Sequence, residues 1–250
     1  MVALFSWLSD FFWSAETFVT IANEIPALAV MAVGMTFVLI IAGIDLSVGS
    51  VMALSAATSA AAILQWGWSV PAAAALALAT GLVCRHHHRR RVGRLAAAVV
   101  HRVARHAGGA RAVSSTGVQA SCMVGIGTNE EAMRLAGVDP RPIRIAVFAL
   151  TGLLAGLAGL MQSARLEAAD PNAGAGMELQ VIAAVVIGGT SLMGGRGSVV
   201  TTAFGVLIIA VLEAGLAQIG ASEPSKRIIT GCVIVAAVII DTLRQRRAAV

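Results

Sequence analysis

The sequence predicts an all-α, polytopic integral membrane protein with about six to seven apolar segments, some of them broken or re-entrant. Three observations carry this. Of the 250 residues, 58% are hydrophobic, and the mean hydropathy is +0.85. Only 12% are charged, against about 25% in a typical soluble domain, so polar side chains are too few to cover a soluble surface. Uncharged runs recur over most of the chain, parted by short loops rich in glycine, proline or arginine. The whole of 1–250 reads as a single membrane domain.

Residues 1–25 mix Phe5, Trp7, Phe11, Phe12 and Trp13 with Asp10, Glu16 and Glu24. They read as interfacial and amphipathic, and they lack the basic start of a signal peptide. Pro26 suits the first turn of a helix, so the first span is predicted over 27–43. The string GIDLSVGS at 43–50 then sets Asp45 between two apolar stretches. A buried carboxylate needs donors. Gly43 and Gly49 permit a broken helix there, and Asp45 or Ser47 can cap the next one. The other reading of Asp45 and Ser47 is a place in a transport pathway. Runs 51–66 and 70–84 follow, rich in small residues that favour close helix packing.

The segment 85–122 is anomalous. Eight of the eighteen basic residues and all five histidines fall within 85–111, and no Asp or Glu occurs between Asp45 and Glu130. One reading is a basic loop on the cytoplasmic leaflet. A histidine metal site is disfavoured, because no acidic or cysteine ligand shares a ligand-like spacing. The third reading is that the segment is foreign to the protein around it. The formal charge of +5 is mostly this local feature, so no nucleic-acid partner is expected. Cys84, Cys122 and Cys232 fit no metal or disulfide spacing, and no metal or other cofactor is expected.

Residues 125–145 form a polar stretch of both charge signs. Thr128 or Asn129 can cap a short helix with Glu130 and Glu131 in its first turn. Ala132, Met133, Leu135 and Ala136 give that helix an apolar side, and Gly137 ends it. It reads either as a docking element between spans or as an interfacial loop helix. The next span, 145–163, carries Gly152, Gly156 and Gly159 on one face, which suits tight contact. A polar loop over 165–178 leads to an apolar run, 179–189, too short to cross about 30 Å of hydrocarbon alone. It runs into a glycine-rich loop, GGTSLMGGRG at 188–197. The run 199–219 crosses again with Glu213 inside it, an intramembrane carboxylate with no evident partner in the sequence. The last span is 228–240, followed by Asp241, Arg244, Arg246 and Arg247.

Arg134, Arg141 and Arg144 put the central loop in the cytoplasm, and the C-terminal arginines put the tail there. Four apolar segments lie between, an even number, so the two clusters agree. Counting backward places the N-terminal stretch outside, which hints that an earlier span is absent.

Several strings resemble the permease subunit of bacterial ABC importers for ribose, xylose and related sugars. They are GIDLSVGS at 43–50, GTNEEAMRLAGV at 127–138, ARLEAADPNAGAGMEL at 164–179 and ELQVIAAVVIGGTSLMGGRGSV at 178–199. The resemblance covers about 26–84 and 123–243. It implies a multi-pass protein of the bacterial inner membrane, surrounded by membrane lipid. Its implied partners are a second permease copy, a cytoplasmic ATP-binding subunit and a periplasmic sugar-binding protein. It also implies that 127–138 holds the coupling helix that docks into the ATPase, through Asn129, Glu130, Glu131, Arg134 and Leu135, with Met133 and Leu135 entering a groove. The chain lacks a GxxxxGK[ST] phosphate loop and is not expected to be an enzyme. A branched-chain amino-acid importer permease is the near alternative, and an unrelated secondary transporter the distant one.

Two departures matter. The resemblance implies a further span before residue 26, and more apolar segments where 85–121 stands. An Arg/His/Ala/Gly-rich passage with abrupt edges is what GC-rich coding DNA gives in the wrong frame. The expectation is a disrupted-frame remnant that transports poorly or not at all, with 85–121 a mobile or poorly packed segment on the cytoplasmic surface; a genuine variant loop and a deletion with drift are the alternatives.

Overall fold

The structure, a computed structural model, describes residues 5–7, 9, 12–87, 112–166 and 174–248. From residue 15 onward these form nine helices, and the described residues contain no strand. The helices are α1 (Ala15–Ile40), α2 (Val48–Leu64), α3 (Val70–His87), α4 (Ala112–Thr128), α5 (Glu130–Leu135), α6 (Pro140–Leu166), α7 (Met177–Ile187), α8 (Val199–Gln218) and α9 (Glu223–Ala248). Three of them, α1, α6 and α8, are long and apolar enough to cross a membrane, and α2, α7 and the 70–84 part of α3 are shorter apolar helices. The all-α, polytopic membrane reading therefore holds.

The first helix starts earlier than the sequence implied. Ser14 caps it, accepting from the Thr17 amide at 3.3 Å, and Pro26 lies inside it rather than at its start. Pro26 forgoes the bond to the carbonyl one turn back, yet burial of Ala27, Leu28, Met31 and Met35 carries the helix through. The stretch 15–25 is thus the first turns of a membrane helix, not a separate interfacial element.

α6 is the hub for α1, α2 and α3. Its glycines are the reason. A Cβ at Gly159 would come within 2.5 Å of the Met52 carbonyl oxygen and 2.8 Å of the Ala56 amide of α2, and one at Gly156 within 2.6 Å of the Ala77 carbonyl oxygen of α3. Backbones touch directly, as the glycine face predicted. Ser59 and Ser163 meet at 3.2 Å, so α2 runs parallel to α6. α1 runs antiparallel to it: Thr151 donates to the Gly34 carbonyl at 3.2 Å, and Arg165 pairs with Glu24 at 2.5 Å. α8 lies antiparallel on α1, with Thr36 and Thr202 bonded at 2.9 Å and Gln218 donating to Thr17 at 2.6 Å. α7 packs between α1, α8 and α9, and Val181 through Val186 are all buried.

These registers give the bundle two ends. One carries Arg134, Arg141 and Arg144, the last turn of α1 and the start of α8. The other carries the Glu24–Arg165 pair, the Trp66–Trp68 pair and the α8–α9 turn. α1 stops at the arginine-bearing end, but α2 begins at the depth of about Ala155 of α6, because Met52 lies against Gly159. The non-helical segment 41–47, with turns at 41–42 and 46–47, therefore climbs back into the bundle by roughly 15 Å. This is the break expected at 43–50.

Residues 88–111 lie outside the described residues. Residues 112–121, placed outside the bilayer by the sequence reading, belong to α4, which continues without a break to Thr128.

Candidate functional site

The helix at 130–135 forms as its residues dictate. Asn129 is the cap, accepting from the Ala132 amide at 2.9 Å, while Thr128 instead donates to the Val124 carbonyl. Glu130 and Glu131 occupy the first turn, where the helix dipole favours negative charge. Gly137, at φ +82°, ends the helix.

The side chains then divide. Glu130 is held inside the loop, accepting from Arg134 at 2.7 Å and from Arg144 of α6 at 2.5 Å. These pairs tie the helix to α6, and Glu130 stays partly exposed beside them. Each such partly exposed pair contributes about 0.2–1 kcal/mol. Met133 is also turned inward. Its Sδ lies where a Cβ of Gly125 would be, at 2.6 Å, and it packs against the core. Only Leu135, 86% exposed, remains as an apolar projection, beside exposed Glu131 and Arg134.

The glycine-rich loop at 188–197 reaches the same surface. Its Gly195 amide donates to the Ile40 carbonyl, the last residue of α1, at 2.9 Å. Gly194, at φ +86°, sits against Ala42 and the Gly127 carbonyl, so any side chain there would collide. Thr190 and Ser191 are buried, whereas Met193 is 77% exposed and Arg196 is exposed. Sequence reasoning missed Met193 and Arg144 as members of this surface. The signal for Met193 was present, as the apolar residue at the tip of a glycine-flanked turn. Arg144 carried none, because its partner is fourteen residues away.

Asp45 is 4% exposed in the climbing segment. Its Oδ1 accepts from the Ser47 amide at 3.1 Å and the Ser47 hydroxyl at 2.8 Å. Ser47 stands at the N-cap position of α2 but makes no cap bond, since its hydroxyl is turned back to Asp45. The expected cap is thus replaced by a local turn that supplies the carboxylate with donors. Gly49 follows, with the Gly174 carbonyl 2.6 Å from its would-be Cβ and the Glu178 carboxylate closer still. The starts of α2 and α7 therefore meet inside the bundle.

Glu213 lies in α8, and its Oε1 accepts from Thr230 of α9 at 3.2 Å. It stands roughly one and a half turns from Gln218. By the α1–α8 register this is level with the Glu24–Arg165 pair, near the end away from the arginines. Glu213 lines a cleft with Leu179 and Gln180 of α7, and Asp45 is not part of it. Among the described residues, no group of three or more His, Cys, Asp or Glu could hold a metal ion.

A bundle of membrane-length and broken helices, with an exposed capped helix bracketed to one end, is that of a multi-pass membrane protein. The family described as the branched-chain amino acid transport system/permease component matches residues 17–85 and 116–238. The chain belongs to this family of ABC-importer permease components. It is 33% identical to the ribose import permease protein of Escherichia coli K12, over 98% of this chain and 91% of that protein. The ribose import permease protein of Haemophilus influenzae is 32% identical over 96% of this chain and 90% of its own length. The xylose transport system permease protein of Escherichia coli K12 is 43% identical over 49% of this chain and 31% of its own. No solved structure matches.

The family match breaks between residues 85 and 116, at the Arg/His run. The alignment with the E. coli ribose permease spans 293 residues, more than the 250 of this chain, so that relative has positions with no counterpart here.

Proposed function

We propose that the chain is the membrane-spanning permease subunit of an ATP-driven importer for ribose- or xylose-like monosaccharides in the bacterial inner membrane. The observation that carries this reading is the platform at the arginine-bearing end. There the 188–197 loop lies on the α1 terminus and against Gly127 and Thr128, which lead into α5, and the two elements present Leu135, Met193, Glu131, Arg134 and Arg196. That surface suits a cytoplasmic ATP-binding subunit. Two relatively flat apolar anchors ringed by charge make a docking site with a dry centre and a polar rim. The ribose and xylose permeases among the relatives support a sugar over a branched-chain amino acid as cargo. A second permease copy and a periplasmic sugar-binding protein complete the proposed assembly, with membrane lipid around it.

The break at the Arg/His run bears on the activity of the encoded form. Seven Arg or His occupy 85–91. At roughly 2.5–3.5 kcal/mol per central arginine, the four arginines there exclude a crossing. The proposed 250-residue subunit retains the docking platform but transports far below a full-length relative. Purification with the cognate ATP-binding subunit, followed by reconstitution with the sugar-binding protein, tests both statements. The expected result is co-purification with ATP-dependent ribose uptake near background. Loss of co-purification would remove the permease reading. Uptake equal to that of a full-length relative would remove the disrupted-segment reading.

The proposed orientation gives a second prediction. In a background without native cysteines, Thr128→Cys should react with an impermeant thiol reagent only in inside-out vesicles, and Ser222→Cys only in right-side-out vesicles. Labelling of both from one side would overturn the topology.

A further inference from the structure

The chain has four tryptophans and no tyrosine. All four tryptophans stand at the end of the bundle away from the arginines, near helix termini. Trp66 and Trp68 occupy the turn between α2 and α3, with ring centroids 5.6 Å apart. Trp13 immediately precedes the Ser14 cap of α1. Trp7 follows Phe5, whose ring packs on Gly215 near the end of α8: a Cβ there would lie 2.5 Å from the ring. Each of the four tryptophans is at least 45% exposed.

We infer that these tryptophans anchor the protein in the headgroup layer of the outer leaflet, so that the α2–α3 turn and the stretch before α1 lie in the lipid interface and not in water. The choice of leaflet rests on the orientation proposed above; the contact with lipid does not.

Indole is an apolar body with one N–H donor, and it is best placed where hydrocarbon meets headgroup. The ends of these apolar helices are such a place. Leu64 and Val70 bracket the α2–α3 turn and are exposed, as are Leu54 and Val83 further along the same two helices. The turn thus continues an apolar outer surface, of the kind that hydrocarbon covers. No charged residue occurs between Asp45 and Arg85. A protein-docking surface sets a polar, charge-bearing rim around its apolar centre. In this turn the polar side chains are Gln65 and Ser69, both uncharged. The docking platform at the other end differs in this respect, because there Leu135 and Met193 stand among Glu131, Arg134 and Arg196. The two ends are therefore held by different chemistry, arginine at one and indole at the other.

The anchor bears on α2. That helix starts inside the bundle, so its far end is the one that lipid can hold. The Trp66–Trp68 turn fixes the height of α2, and with it the Asp45–Ser47 turn ahead of the helix.

Tryptophan fluorescence in lipid nanodiscs tests this. The parent chain gives the summed reading without substitution, since every tryptophan lies at this end. Single-tryptophan versions, with the other three changed to phenylalanine, resolve it, and their elution profiles identify any that fail to fold. Lipids brominated on the upper acyl chain should quench emission about two-fold or more, and aqueous iodide should quench it about five-fold less than it quenches free N-acetyltryptophanamide. Iodide quenching as strong as that of the free compound, with no effect of brominated lipid, would overturn the anchor. If added sugar-binding protein then abolished the iodide quenching, the turn would be a protein-docking site instead. The Ser222→Cys labelling described above reads the leaflet separately. Lipid quenching together with labelling only in inside-out vesicles would overturn the proposed orientation and the outer-leaflet assignment, and leave the lipid contact standing.

Discussion

Leu135→Asp is expected to weaken association of the chain with its ATP-binding subunit by about thirty-fold or more. Leu135 projects from a helix whose other large apolar residue, Met133, is turned into the bundle. It therefore acts alone as the apolar anchor of α5. A buried anchor at the centre of an interface carries about 2 kcal/mol or more, and aspartate adds the cost of an unpaired buried charge. Met193→Asp should act in the same direction, because Met193 is the matching projection of the neighbouring loop. Neither side chain supports the bundle, so melting temperature should stay within a degree or two of the parent. Pull-down and surface-plasmon titration against the ATP-binding subunit check this. Equal retention of Leu135→Asp and parent would show that α5 is an interfacial loop helix and not a docking element.

Gly159→Leu should prevent recovery of a monodisperse protein, while Gly231→Leu should leave it intact. Both glycines are helical and both substitutions add the same side chain. At Gly159 the first added carbon already lies within 2.8 Å of two backbone atoms of α2, whereas at Gly231 nothing lies within 4 Å. Overpacking a rigid contact costs about 1–3 kcal/mol when side chains can yield. Backbone cannot yield without moving α2 off α6, and with it the start of α2 that holds Asp45. At Gly231, replacing a helical glycine should if anything be mildly stabilising. Size-exclusion profile and thermal melting in detergent distinguish the two. Similar behaviour of both variants would refute the glycine-mediated crossing.

The parts of the fold legible in the sequence were those fixed by local chemistry. Asn129 and Gly137 mark both ends of α5, and the spacing of Gly152, Gly156 and Gly159 marks the face on which helices cross. The break at 43–50 was legible because two glycines and a carboxylate interrupt an otherwise apolar run. What depended on distant partners was not. Pro26 looked like a helix start, since nothing local shows that burial of the residues on both sides overrides it. The Glu130–Arg144 pair left no trace in the sequence, since Arg144 reaches Glu130 from another helix fourteen residues away. Glu213 looked stranded in hydrocarbon, because its depth follows from the α1–α8 register and from Thr230 on a later helix.

The bond from the Gly195 amide to the Ile40 carbonyl joins a loop at the docking surface to the point where α1 ends and the climbing segment starts. Gly194 and Gly195 have no side chains to act as padding, so the loop lies directly on Ala42 and Gly127. A push on Met193 is therefore delivered to main chain, without soft rotamers to absorb it. From there the chain runs through a turn at 41–42, with Ala42 at φ +53°, to the Asp45–Ser47 turn ahead of α2. The 188–197 loop and the buried Asp45 turn are thus joined by one main-chain bond and a few residues of backbone.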